Sequence, residues 1–345
     1  MKNSISRLIR KNILELVPYS SAREEYVGDE GIFLDANENP YGTYNRYPDP
    51  FQRALKKELA ALKNCAENTI YIGNGSDEII DLAFRVFCEP YTDKALSFTP
   101  SYGMYRVSAQ INGIEIIEVP LNTEFDIDIN TTKPFLADEQ LKLIFICSPN
   151  NPTGNLLSIK SIEWLLENTK GIVIVDEAYI DFSQQPSFIY KLEKYPNLIV
   201  CQTLSKAWGL AGIRLGIAYM HPEIAAVFNK IKAPYNVSQV NQEIALKTLQ
   251  SKMQTQQSIL EIISEKEKMT TMLQSLTIVE KIYPSDANFL LVAFTNATEV
   301  FRQLITQKII VRNRNTVIKN CIRITIGTPT ENQKLLTVLS TISHD

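Results

Sequence analysis

Between residues 69 and 220, short runs rich in β-branched residues alternate with stretches of helical period. The runs are 69–72 (TIYI), 94–98 (KALSF), 114–117 (IEII), 143–146 (LIFI), 172–175 (IVIV), 198–201 (LIVC) and 215–218 (LGIA). Each has the length of a strand, and several are apolar throughout, as a strand covered on both faces must be. Helical patterns at 77–88, 103–112 and 158–168 lie between them. This alternation predicts an α/β fold: a mainly parallel seven-stranded sheet flanked by helices on both faces.

The pattern changes near IKAPYNVSQ (231–239). A long helical stretch follows at 238–275, then strand-like runs at 289–292 and 322–326, then a last helix. These predict a smaller α+β domain over 236–345 and a large domain over 34–235. Ahead of both, residues 1–33 read as an amphipathic arm that packs on the small domain or on a partner subunit. Its apolar residues Ile5, Leu8, Ile9, Ile13, Leu16 and Val17 recur at helical spacing and form no continuous apolar core. The segment 34–51, LDANENPYGTYNRYPDPF, reads as an ordered loop, and 51–65 as a helix.

The net charge of −3 argues against general binding to nucleic acid or an anionic membrane. No apolar stretch approaches the roughly 20 residues that span a bilayer. The five cysteines form no CxxC pair, which predicts reduced thiols in a cytoplasmic protein. With two histidines in the chain, no metal site is expected.

In a parallel α/β sheet, ligands bind just past the carboxyl ends of the strands. The polar residues of this chain collect there. GNGSDEII (73–80) follows the first run, and its glycines and following helix suit an anion cradle, held by the backbone of Gly75, Ser76 and Asp77. Taken alone, it also describes an ordinary capped turn. CSPNNPTGN (147–155) follows the fourth run and reads as a loop of Asx turns. Asp176 directly follows four buried apolar residues, with Tyr179 three positions on; a carboxylate at that depth needs a cation or strong donors. A structural salt bridge would satisfy it equally well. After the run at 198–201 comes TLSKAWGLAGIRLG, carrying Lys206 and Arg214. A desolvated lysine offers the neutral amine that condenses with an aldehyde, and an arginine matches a phosphate with two parallel hydrogen bonds. A surface position would explain either residue singly. Together, an anion cradle, a buried aspartate, a lysine and an arginine suit pyridoxal 5'-phosphate.

LDANENPYG, NRYPDP, GNGSDE, PSYGMYR, SPNNPTG, VDEAYIDF, TLSKAWGLAGIRLG and CIRITIG extend, in order, over nearly the whole chain. In these the sequence resembles the class I/II aminotransferases of the fold-type I pyridoxal-phosphate enzymes, and within them the branch acting on L-histidinol phosphate. The resemblance implies amino transfer to 2-oxoglutarate. It implies that Lys206 bonds the cofactor aldehyde, Asp176 pairs with the ring nitrogen, and Tyr179 and Asn151 bond the ring hydroxyl. Tyr102 would stack on the ring. Gly75, Ser76, Asp77, Thr203, Ser205 and Arg214 would hold the phosphate. Tyr47 would reach the neighbouring subunit's cofactor, which implies a homodimer with shared active sites. Substrate binding would fall to Tyr19, Asn37, Arg312 and Arg323, with Arg314 close enough to replace Arg312. In CIRITI, alternation turns Arg323 away from the isoleucine face. Aromatic aminotransferases share most of these motifs. A phosphothreonine-type decarboxylase shares fold and cofactor but breaks another bond. A pyridoxal-phosphate regulator would need a DNA-binding domain, for which the stretch before residue 34 is too short.

Overall fold

A computed structural model describes residues 5–19 and 31–342. Parts of the predicted arm, 1–4 and 20–30, lie outside the described residues.

The predicted strands form one sheet from β1 (Ile70–Asn74), β2 (Lys94–Thr99), β3 (Glu115–Pro120), β4 (Leu141–Cys147), β5 (Ile172–Asp176), β6 (Leu198–Thr203) and β7 (Leu215–Met220). Their spatial order is β1-β7-β6-β5-β4-β2-β3. All neighbours are parallel except β7, which runs antiparallel to both β1 and β6. Alternate residues serve opposite faces, as the pleat requires. Ile144, Val173, Val175 and Val200 join one core, whereas Leu143, Phe145, Ile174 and Ile199 join the other. Both sets are buried, which is why these strands read as unbroken apolar runs.

Helices cover each face with an apolar stripe. On the first lie α1 (Arg53–Lys63), through Leu55 and Leu59, and a later helix carrying Ala245 and Leu249. On the second lie α2 (Ser76–Phe87) and α3 (Met104–Ile111). α4 (Ile159–Asn168) returns to the first face and α5 (Pro222–Ile231) to the second.

The N-terminal residues depart from expectation. Ile5 and Ile9 are buried in the core of α2 and α5, so this part of the arm packs on the large sheet and not on the C-terminal unit. A hydrogen bond from Arg10 N to Val86 O and the Arg10–Glu89 ion pair fasten it there. Leu16 and Val17 stay exposed.

The helix predicted over 238–275 is broken at Ser251 into α6 (Gln239–Gln250) and α7 (Lys252–Gln274). The two pieces bury residues against different cores. Ala245 and Leu249 belong to the large sheet, Met269 and Leu273 to the second. The change of unit therefore falls at Ser251 and not at 236. Beyond it, β8 (Val279–Ile282), β9 (Phe289–Phe294), β10 (Arg312–Asn313) and β11 (Cys321–Thr325) form an antiparallel sheet in the order β10-β11-β9-β8. Of these, β8 and β10 were not foreseen. With α7, α8 (Ala297–Thr306) and α9 (Pro329–Ser340) cover one face, where Ile322 and Ile324 are buried.

The other face turns toward the large sheet. Phe289 packs edge-on against Tyr179 at 5.1 Å, and Asp286 holds Leu156 N at 3.1 Å and Gly154 O at 2.8 Å. These contacts leave a cleft between the sheets, at the carboxyl ends of β4, β5 and β6.

Candidate active site

The row of strand ends positions the polar residues. Cys147, Asp176 and Cys201 are neighbours across β4, β5 and β6, and Thr203 pairs with Gly216. Because β7 is antiparallel, its first residue lies at this same edge. Arg214, one residue before β7, is thereby brought to the end of β1. Its backbone is left-handed, φ 51°.

At that end, Gly75 adopts φ 81° and Ser76 opens α2. A Cβ on Gly75 would stand 2.7 Å from the Arg214 guanidinium. One on Gly216 would collide with Ser76 N and lie 2.5 Å from the Gly75 carbonyl carbon. Both glycines are thus set by close approach. The Gly75 N–H already donates to Gly73 O at 2.9 Å, so the donors left for an anion are Ser76 and Asp77, whose N–H groups begin the helix. The Asp77 carboxylate is turned aside: it accepts from the Tyr102 hydroxyl at 3.1 Å and lies 3.6 Å from Arg214. The hydroxyls of Thr203 and Ser205, 3.0 Å apart, complete the cup.

Asp176 is buried at the end of β5. Its Oδ2 accepts from the Tyr105 hydroxyl at 2.8 Å and its Oδ1 from Ala178 N at 3.1 Å. Burial pushes its carboxyl up to about 6, and the Tyr105 hydrogen bond opposes that rise. Next to it, Glu177 is buried among Ser187, Phe188 N and Gln202 and is pushed up to about 7 by the same desolvation.

Lys206 is exposed, but into the cavity it lines. Its ammonium stands 5.8 Å from the Tyr179 ring centre. Surrounding protein lowers its pKa, and Arg323 lowers it further. Asn151 Nδ2 donates to the Tyr179 hydroxyl at 3.3 Å, while Asn151 Oδ1 accepts from Arg323 Nη1. Arg323 spans the cleft from β11, with its guanidinium 5.2 Å from the Phe289 ring centre. Arg312 faces Arg323 across the β10–β11 pair, and Arg314 is two residues further on the same side. All three line one cavity of about 370 Å³ with Lys206 and Arg214.

The cavity gathers Ser76, Asp77, Tyr102, Asn151, Asp176, Tyr179, Thr203 and Ser205 as well. It does not gather Asn37, Tyr47 or Tyr19. The segment holding Asn37 and Tyr47 folds over the turn before α6. Tyr47 stacks on Tyr235 at 4.3 Å, and both border a second cavity, of about 440 Å³, with Asn37. Tyr19 is exposed. Tyr105 went unrecognised in the sequence. The available signal was its place one helical turn after Tyr102, at the carboxyl edge of the sheet. Cys147, which also lines the cavity, reads only as the end of an apolar run.

The model of the family described as aminotransferase class I and II matches residues 32–339. The chain belongs to that family. This aminotransferase is 52% identical over 335 residues to a histidinol-phosphate aminotransferase of Parabacteroides distasonis, with 96% of this chain and 97% of the relative covered. Among solved structures, it resembles the histidinol-phosphate aminotransferase of Clostridium acetobutylicum, with TM-score 0.79 and 26% identity, covering 86% of this chain and 90% of the other. It shares its fold with the histidinol-phosphate aminotransferase of Sinorhizobium meliloti, solved in complex with pyridoxal-5'-phosphate. There the TM-score is 0.78 and the identity 23%, covering 86% and 82% of the two chains. The aminotransferase fold thus has its mixed seven-stranded sheet and cleft in the arrangement described above.

Proposed function

We propose that this aminotransferase moves the amino group of L-histidinol phosphate to 2-oxoglutarate, forming imidazole-acetol phosphate and glutamate in histidine biosynthesis. The observation that carries the reading is the meeting of Arg312, Arg314 and Arg323 in the cavity that holds Lys206. None of the three is ion-paired with a described carboxylate. Histidinol phosphate lacks a carboxylate and carries a phosphate dianion, which suits such a cluster. The name of the 52% identical relative agrees.

The cofactor is pyridoxal 5'-phosphate. The fit rests on the glycine-cleared cup at Gly75 and Gly216, the buried acceptor Asp176, and the amine of Lys206 with its lowered pKa. When bound, it supplies an aldehyde that takes the amino group and a ring that accepts the electron pair released at the substrate carbon. Ser76, Asp77, Thr203, Ser205 and Arg214, which line the cavity, would hold its phosphate. Asp176 would keep a proton on the ring nitrogen, Tyr179 and Asn151 would bond the ring hydroxyl, and Tyr102 would cover the ring. Lys206 would hold the aldehyde carbon, and its amine would carry the proton taken from the substrate carbon. The chain acts as a homodimer in which the segment of Asn37 and Tyr47 serves the partner's site. A reducing compartment, the cytoplasm, fits its free cysteines.

The test compares histidinol phosphate, phenylalanine and phosphothreonine as donors to 2-oxoglutarate, following glutamate formation and carbon dioxide release. Histidinol phosphate is expected to give the highest kcat/KM for glutamate formation, without carbon dioxide. A preference for phenylalanine, or decarboxylation of phosphothreonine, would overturn the assignment.

A further inference from the structure

β1 ends at Asn74 and α2 begins at Ser76, so a single residue, Gly75, joins them. A glycine permits the close approaches of the cup but does nothing to stiffen it. The brace comes from Glu78, in the first turn of α2, whose carboxylate accepts from Asn74 N. A Cβ on Gly73 would stand 3.1 Å from Glu78 Oε2, so the absent side chain there makes room for the carboxylate. The bond ties the last residue of β1 to the helix whose first N–H groups, on Ser76 and Asp77, face the cup.

A carboxylate two residues from Ser76 also carries a penalty. Swung toward the cup, it would repel a bound phosphate. Its direction is set by Asn236, from the segment between α5 and α6. Asn236 Nδ2 stands 3.0 Å from Ile72 O, 3.1 Å from Glu78 Oε2 and 3.3 Å from the Tyr71 hydroxyl. An amide nitrogen has two hydrogens, and Ile72 O and the carboxylate are the nearer acceptors. Tyr71 is buried, and burial and then Glu78 raise its pKa; it stays a neutral phenol that donates to the carboxylate. Asn236 is fixed in turn. Its Oδ1 accepts from Gln52 Nε2 at 3.3 Å, and the same Gln52 amide donates to Pro50 O at 2.9 Å. Glu78 is thus drawn away from the cup by Asn74 N, the Tyr71 hydroxyl and Asn236.

We propose that Asn236 and Glu78 are positioning residues for the cofactor: together they hold the β1–α2 turn in the shape that aims the Ser76 and Asp77 N–H groups at its phosphate. Neither side chain lines the cavity that holds Lys206, so both act through the backbone of the turn. This rests on the reading of the cup as the phosphate site given above.

The test titrates the full-length enzyme, freed of cofactor, with pyridoxal 5'-phosphate and with pyridoxal, which has the ring and the aldehyde but no phosphate. Asn236→Ala is expected to raise the Kd for pyridoxal 5'-phosphate by about 10-fold, the lower end of what one charge-assisted hydrogen bond is worth, and to leave that for pyridoxal unchanged. Asn236→Asp has the same size but sets a second carboxylate against Glu78, and is expected to lose at least as much. Glu78→Ala is expected to match Asn236→Ala. The double alanine variant should bind no more weakly than Glu78→Ala, because the two residues act as a unit. Equal losses for both ligands would mark general damage to the fold and overturn the pair. Additive losses in the double variant, or an Asn236 variant that binds pyridoxal 5'-phosphate as the wild type does, would overturn it as well. A wild-type enzyme with no preference for pyridoxal 5'-phosphate over pyridoxal would instead overturn the reading of the cup.

Discussion

The Tyr105 hydroxyl donates to Asp176 Oδ2 at 2.8 Å, and both residues are buried. The Tyr105 ring stacks on Phe145 at 4.8 Å and meets Tyr102 edge-on at 5.6 Å. One side chain therefore touches both the carboxylate and the tyrosine proposed to bracket the cofactor ring. Tyr105→Phe keeps the packing and removes the donor. A hydrogen bond to a charged group is worth about 1.5–3 kcal/mol, or roughly one to two pH units. The bond favours ionised Asp176, so its loss raises that pKa above about 6. The acid limb of the pH–kcat/KM profile is expected to move upward by about one unit in the variant, with the thermal midpoint changing little. An unmoved limb would show that Tyr105 serves packing alone.

Gly216 and Gly212 offer a paired test of the cup. A Cβ at Gly216 meets the Gly75–Ser76 backbone, whereas one at Gly212 meets nothing within 4 Å. Gly216→Ala is expected to cost about 1–3 kcal/mol, the usual range for forcing a methyl into a packed site, and to weaken cofactor retention by displacing the Ser76 donor. Gly212→Ala is expected to stay within about 0.5 kcal/mol. Thermal unfolding and cofactor release on dialysis would measure both.

Glu177 gives a pH dependence with a defined sign. Its pKa is raised by burial from 4.5 to about 7, so the folded state holds this proton more tightly than the unfolded chain. Its contribution to stability is then fully present below about pH 4.5, falls as pH rises, and is lost above about 7. The full change is about 3 kcal/mol. The Glu177→Gln variant lacks this titration. The difference in thermal midpoint, wild type minus variant, is expected to shrink by a few degrees between pH 5 and pH 8. A difference that is constant, or grows with pH, would refute the raised pKa.

Shared active sites predict complementation between inactive variants. Tyr47 stacks on Tyr235 at the second cavity, away from Lys206 of its own chain. If Tyr47 serves the partner's site, Lys206→Ala and Tyr47→Ala are each defective. Mixing them after subunit exchange is then expected to restore roughly a quarter of the native sites, because each hybrid dimer holds one intact pair. No recovery in a mixture shown to contain hybrids would place Tyr47 outside the neighbouring site.

Much of the fold was legible because burial on both faces leaves a simple trace. A run such as IVIV has no polar position to expose. The charged residues abutting such runs, Asp176 above all, were legible for the same reason: a charge next to a buried strand needs a partner. Other features left no local trace. Residues 239–250 and 252–274 are both helical, and only the separate cores they bury distinguish them. The first apolar residues of the chain read as an amphipathic arm, yet amphipathicity does not say which surface receives the stripe. Arg312 and Arg314 are alike in sequence, and the difference between an exposed and a half-buried side chain comes from the loop that follows a two-residue strand.

From the order of its residues, the chain determined the seven strands of the large sheet, the anion cradle at the start of α2, and the chemistry of the lysine, aspartate and arginines. Those depend on local periodicity and on what each side chain can do. Only the tertiary structure decided that β7 runs antiparallel, which carries Arg214 to the cup at the end of β1. It alone joined Arg323 to Asn151 across 172 positions of sequence. Contacts at that separation follow from how two independently packed sheets close on one another, and no short window of sequence carries that information.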